Sequence, residues 1–370
     1  MKTRAAILRE VNTPWSVEEI ELEDPQGGEI LVRSLASGMC HSDEHAHDGS
    51  IPAPLPIIGG HEGAGEVIAI GPKVTEFEVG DHVCCSFIAS CGKCAWCASG
   101  QQYLCDLGAH ILEPGMMAGG YRHHSSRGEA LSPLLKLGTF AEHMVISVDS
   151  AIKIPKEIPV GPAALVSCGV ATGYGAAVNR AEVKPGDTVV IVGCGGLGHA
   201  AIQGAALAGA RNVLAVDPSE FKQESGIAFG ATHRAGGLDE ANAIVRDLTA
   251  GVMADSVILT PGVLTGDLIA PAQFLIRKGG TVVAAAVAPA MQMDVQLNLF
   301  EFAMMNKQLR GCLFGSSSPR QAVPHLLAMY QAGQIKLDEM ITKTYTLDQV
   351  NEGYQDMLDN KNVRGVILFD

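Results

Sequence analysis

With 370 residues, 47% of them hydrophobic, the chain is long enough to fill two cores and reads as a globular protein of two domains. Forty acidic residues against 26 basic ones leave a formal charge of -14, which repels phosphate backbones and anionic lipid, so neither nucleic acid nor a membrane is expected as a partner. The richest apolar stretch, Ala163 to Val178, is broken by Ser167, Cys168, Thr172 and Tyr174 and falls short of a membrane span.

To about residue 165 the chain reads as short strands bounded by Gly, Pro or Asp: Ala5-AIL, Ile30-LVRSLAS, Gly65-EVIAIG, Asp81-HVCCSF and Ala141-EHMVIS. A β-barrel is expected there. From Thr188 apolar strands alternate with helical stretches: Thr188-VVIVG, Leu197 to Ala208, Asn212-VLAVD, Glu220 to Phe229, then strands at Asp255-SVILT and Gly280-TVVAAAV. Strand, helix, strand in that order predicts a parallel sheet with right-handed crossovers. Beyond about residue 312 the alternation weakens into two helices, near Arg320 to Gln331 and Leu347 to Leu358, and a last strand Gly365-VILFD. This tail is expected to fold back onto the first domain.

Four cysteines, Cys91, Cys94, Cys97 and Cys105, fall within fifteen residues at the spacing of a closed four-thiolate zinc site. The disulfide alternative needs an oxidising compartment, and the start Met1-KTRAAILRE has no apolar leader, so the thiols read as reduced and the protein as cytoplasmic. Cys40 in Gly38-MCHSDEH, His61 in Gly59-GHEGAG and Cys168 in Ser167-CGVATG supply a second set of ligand types. Two thiolates and one imidazole would neutralise a zinc ion and leave one position open for chemistry, where an alcohol loses its proton readily. The bland alternative makes the cysteines small buried hydrophobes and His61 a core histidine.

Val192-GCGGLGHA follows an apolar strand and opens a helix. Gly193 suits the tight turn, Gly195 the approach of a pyrophosphate and Gly198 helix packing, with Gly196 and Leu197 between them at the helix start. Asp217, nineteen residues beyond Gly198, ends the next strand, where a carboxylate accepts from ribose hydroxyls and repels a 2'-phosphate. NAD is therefore expected over NADP. Lys222, five residues later, is within sequence reach of the same ribose, with a solvated lysine on the helix face as the alternative reading.

On these segments the chain resembles the zinc-dependent alcohol dehydrogenases of the medium-chain dehydrogenase/reductase superfamily over nearly its whole length. The resemblance implies an α/β protein: a GroES-like β-barrel catalytic domain over 1–170 with a structural-zinc lobe at about 90–106, a Rossmann doubly wound parallel sheet over 171–312, and a segment 313–370 returning to the barrel. It implies two zinc ions per chain, a catalytic one on Cys40, His61 and Cys168 and a structural one on the four-cysteine lobe, with Glu62 beside the catalytic metal. Ser42 matches the hydroxyl that bonds the substrate oxygen, and His45 the relay that takes the proton to solvent. His41 stands where many relatives carry an arginine against the pyrophosphate, and Arg364 matches their other phosphate-binding arginine. Thr172 matches a position under the nicotinamide ring, and Phe87 and Ile51 match pocket walls. No family role attaches to His47, His123 or His124, which read as surface residues.

The segments are most similar to a bacterial branch of nicotinoproteins, which hold NAD(H) tightly and pass electrons to an external acceptor such as a nitrosoaniline dye. The implied reaction is hydride transfer between a primary aliphatic or aromatic alcohol, or its aldehyde, and NAD(H). A formaldehyde dehydrogenase acting on thiol adducts of the glutathione or mycothiol type is the alternative. It is disfavoured because no arginine follows Cys105 until Arg122. A catalytically silent zinc and nucleotide binder is more remote. A homo-oligomer, dimer or tetramer, is expected through a sheet edge, for which Gly280-TVVAAAV is one candidate strand and a central buried position its alternative reading.

Overall fold

The computed structural model describes residues 1–370, which divide into two compact units, Met1–Cys168 with Ser318–Asp370, and Gly169–Ser317. In the first unit a small closed barrel runs Lys2–Leu8, Ser16–Leu22, His123–Ser125, Ala130–Pro133, Ile57–Ile58 and back to Lys2–Leu8. A seven-stranded sheet centres on Glu29–Gly38, flanked by Glu62–Ile70, His143–Ser147 and the last strand Arg364–Leu368. Both strand pairings near its end involve one residue, since Gly38 lies opposite Glu62 on one side and Val366 on the other. The register therefore gathers Cys40 just past one strand, His61 just before a second and Arg364 at the start of a third. A Cβ added at Gly38 would collide with the Glu62 carboxylate and stand 3.1 Å from Arg364 Nη2, so this crossing needs glycine.

His123 departs from the surface position expected of it. It pairs with Leu22 and Leu131 in register, so it shares their inward face, and it is fully buried with neither ring nitrogen hydrogen-bonded. Burial, with help from His124 and Arg122, pushes its pKa down to about 3. The folded state thus refuses a proton that the unfolded chain takes up near pH 6.5. Stability is fully present above about 6.5 and falls by about 1.4 kcal/mol per pH unit as the pH drops from there toward 3. His123→Leu is expected to flatten that acid limb and to raise neutral-pH stability by about 1 kcal/mol, read by urea unfolding at a series of pH values. An unchanged acid slope would refute the assignment.

In the second unit the sheet order is His233–Ala235, Asn212–Val216, Thr188–Val192, Ala254–Leu259, Ile276–Ala284, Gln308–Gly311, with every neighbouring pair parallel. In order of appearance this is 3-2-1-4-5-6, the dinucleotide-binding arrangement, with its switch point between Thr188–Val192 and Ala254–Leu259. Thr188–Val192 and Asn212–Val216 are buried at every residue, as a sheet covered on both faces requires. Gly280-TVVAAAV begins within Ile276–Ala284, which is paired on both sides, so its interior reading holds and the edges are His233–Ala235 and Gln308–Gly311. No helix is long and apolar enough to cross a membrane.

Candidate metal centres and nucleotide loop

Cys40, His61, Glu62 and Cys168 bring one ligand atom each within 4.8 Å of one another. His61 Nδ1 lies 2.9 Å from Asp43 Oδ1, so the ring donates there and its Nε2 is left with a lone pair. That Nε2 is sealed from solvent and makes no hydrogen bond. A buried acceptor without a donor, aimed at two sulfurs, fits a metal ion better than a packed core. Cys40 is held well below the usual thiol range, chiefly by the hydrogen bond from Cys168, while Cys168 is pushed well above it by the same bond and by burial. The two sulfurs thus share one proton, and a second thiolate requires a cation between them. Burial works against a charged His61, yet the Asp43 carboxylate, aided by Cys40, raises its pKa well above the ordinary value, so Nε2 holds a proton until a metal ion displaces it and takes the lone pair. Glu62 is fully buried and its carboxyl is pushed up to about 7 by burial, against the pull of Arg364, with which it forms a buried ion pair.

The second cluster is local. Cys91, Cys94, Cys97 and Cys105 also lie within 4.8 Å of one another, with Sγ–Sγ distances of 4.0 Å for Cys91–Cys97 and 3.9 Å for Cys94–Cys105. A tetrahedron with Zn–S of about 2.3 Å has edges of about 3.8 Å, so the sulfurs are placed for zinc and too far apart for disulfides. Backbone N–H groups of Cys94 and Cys97 point at Cys91 and Cys94 Sγ, each at 3.4 Å. Amide bonds of this kind, from Asp106 and Cys97, lower the Cys94 pKa to about 6, whereas burial raises that of Cys97 to about 12.

In the second unit, Gly193 takes φ 94°, a left-handed turn open to glycine, and a Cβ on Gly198 would run into the Gly193 carbonyl. Three side chains hold this loop: Thr260 Oγ1 donates to Gly193 O at 2.7 Å, Cys194 N donates to Asp217 Oδ2 at 2.8 Å, and His199 Nδ1 meets Gly195 O at 2.9 Å. The other Asp217 oxygen accepts from Ser219 N at 2.9 Å. Cys194 is fully buried under this turn, so a small apolar side chain suits it.

Residues 26–156 match the alcohol dehydrogenase GroES-like domain and residues 196–332 match the zinc-binding dehydrogenase domain. The chain is 46% identical to the NDMA-dependent alcohol dehydrogenase of Amycolatopsis methanolica, covering 100% of this chain and 99% of that one. The chain belongs to the zinc-dependent alcohol dehydrogenases. Alcohol dehydrogenase B of Mycobacterium tuberculosis is likewise 46% identical, at 100% and 99% coverage. The crystal structure of benzyl alcohol dehydrogenase from Acinetobacter calcoaceticus is 27% identical, with a TM-score of 0.92 and both chains covered in full. The protein is thus an alcohol dehydrogenase of the medium-chain superfamily, and the formaldehyde-adduct alternative is not favoured.

Around the candidate metal centre of this alcohol dehydrogenase, Ser42 Oγ, on the short helix His41–His47, stands 3.7 Å from Cys40 Sγ. His45 is buried one turn after His41, their rings 6.5 Å apart, and its carbonyl accepts from Ile51 N at 2.9 Å. Phe87 meets the His61 ring edge-to-face at 5.8 Å. Arg364, only 5% exposed, has Glu62 as its ion-pair partner in the first unit, where the resemblance gave it a phosphate. In the second unit Thr172 is buried on helix Gly169–Gly175, and Lys222 is buried on the helix after Asp217. The sequence reading overlooked Asp43, which accepts from His61 and from Gly60 N at 3.1 Å. A carboxylate three residues after one ligand was the available signal, and it was hidden among the other polar residues of CHSDEH. His47, expected at the surface, is half-buried, with Nε2 on the Thr13 carbonyl at 2.9 Å.

Proposed function

We propose that this alcohol dehydrogenase oxidises primary aliphatic or aromatic alcohols at a zinc ion held by Cys40, His61 and Cys168, using an NAD that stays on the glycine loop and is re-oxidised in place by an external acceptor. The observation that carries the reading is the sealed, unbonded His61 Nε2 facing two sulfurs. Zinc bound there supplies a Lewis acid that lowers the pKa of an alcohol hydroxyl, and NAD supplies the hydride acceptor. Ser42 orients the substrate oxygen through its hydroxyl, and His45, on the same helix, takes the proton outward. Phe87 and Ile51 bound the pocket for the carbon chain and keep water from the reacting carbon. Asp43 fixes the His61 ring, and Glu62 with Arg364 supports the ligand set from behind. A second zinc on the four-cysteine lobe closes that loop.

The Asp217 carboxylate, at the end of Asn212–Val216, accepts from the adenosine ribose and repels a 2'-phosphate, which favours NAD over NADP. With NAD bound, Gly193, Gly195, Gly196, Leu197 and Gly198 would meet the pyrophosphate with backbone N–H groups, Lys222 would reach the ribose, and Thr172 would contact the nicotinamide. Tight retention is supported by the three side chains that hold the loop and by the likeness to an enzyme named for NDMA. A homo-oligomer is supported by the unpaired edge of Gln308–Gly311 and the apolar surface preceding it, where Met293 is 98% and Phe300 76% exposed. Metal and nucleotide analysis of the purified protein, run with light scattering, tests all of this. The expected result is a dimer or tetramer with two zinc ions and one nicotinamide per chain after desalting. Monomeric, cofactor-free protein that turns over only when NAD is added would overturn the retention and assembly readings.

A further inference from the structure

His199 is the first residue after the last glycine of the loop, and nothing in the reaction described above uses it. It is fully buried on helix Gly196–Leu207, yet both ring nitrogens are bonded. The Gly195 carbonyl can only accept, so the 2.9 Å contact makes Nδ1 the N–H donor; that carbonyl also receives the His199 backbone N–H at 2.9 Å. In the neutral ring Nε2 must then accept, and the Ser225 hydroxyl donates to it across 2.9 Å. The Phe229 ring meets the imidazole edge-to-face at 4.8 Å, which fixes its plane. Burial keeps the ring neutral by lowering its pKa, and the same tautomer therefore persists at working pH.

We propose that His199 is a positioning residue for the dinucleotide: it locks the Gly195 peptide from inside the fold and couples the pyrophosphate loop to helix Glu220–Ala228, which carries Ser225 and follows Asp217. Thr260 and Asp217 hold the two preceding loop residues, and without His199 the third is held only by the helix's own bond. Gly195 is where the backbone approaches the phosphates most closely, so motion there loosens the N–H groups that bind them. A loop already fixed before binding loses little entropy on binding and releases its ligand slowly. The inference rests on the reading of NAD as the cofactor and adds the device that sets its residence.

The test measures NADH affinity and dissociation by fluorescence, chasing with excess NAD, on full-length wild type, His199→Leu, His199→Gln and Ser225→Ala. His199→Leu keeps bulk but loses both side-chain bonds; it is expected to raise Kd and off-rate about tenfold and to lower the nicotinamide retained after desalting, with a smaller effect on kcat. His199→Gln retains an N–H donor and is expected to recover most of that loss. Ser225→Ala, which removes only the outer bond, should cost about threefold and decides the matter if His199→Leu does not fold. NADH affinity within about twofold of wild type in the folded variants would overturn the inference alone, whatever their melting temperatures. Wild type that carries no nicotinamide as purified and also binds no added NADH would overturn the cofactor reading and this inference with it.

Discussion

His61→Ala is expected to lower alcohol oxidation by about a thousandfold or more and to reduce bound zinc from two ions to one per chain, with the protein still folded. In the proposed site the imidazole is one of three ligands that would leave an open position, and its loss opens a cavity between two sulfurs that already share a proton. The four-cysteine lobe lies in its own short segment and keeps its ion, so zinc analysis distinguishes loss of one centre from general unfolding. Asp43→Asn gives a graded version of the same result. The ligands stay, but the ring nitrogen that Asp43 fixes by a 2.9 Å bond is no longer held by a charge, and metal retention should weaken about 10- to 100-fold. An alanine variant with two zinc ions and near-normal turnover would place the reaction elsewhere.

Arg364→Met is expected to cost about 3 to 5 kcal/mol of folding stability at a pH well above 7, where Glu62 is ionised in the pair, because the carboxylate must then stay charged without a partner or take up a proton in a site with no access to water. Two other groups bear on that carboxylate: Cys40 raises its pKa and His61 lowers it, while burial, the largest influence, raises it. None replaces the guanidinium. Glu62→Gln with Arg364→Met removes both charges and should recover most of the loss, a coupling that a double-mutant cycle by urea unfolding reads directly. A single variant costing under about 1 kcal/mol would show that the pair is not what holds the last strand to the metal site.

Legibility followed range along the chain. The strands Thr188–Val192 and Asn212–Val216 were plain because an unbroken apolar run is what a doubly covered parallel strand needs. The barrel strands His123–Ser125 and Ile57–Ile58 were invisible, since two or three residues carry no periodicity, and His123 was therefore misread as a surface residue. The sequence left Gly280-TVVAAAV open between edge and interior for the same reason: Gln308–Gly311 is short and mixed, while the more apolar Ile276–Ala284 has neighbours on both sides.

The amino-acid order by itself determined the four-cysteine lobe and the glycine turn, because every group involved lies within one short stretch whose closure costs little entropy. It also named the residue types of the second metal centre. Only the tertiary structure decided their company: Asp43 on His61, His199 on Gly195 and Ser225, and Arg364 on Glu62, a pair 302 residues apart. Such partners are chosen by strand register, here Gly38 between Glu62 and Val366, and register depends on which strands meet, which local spacing does not encode.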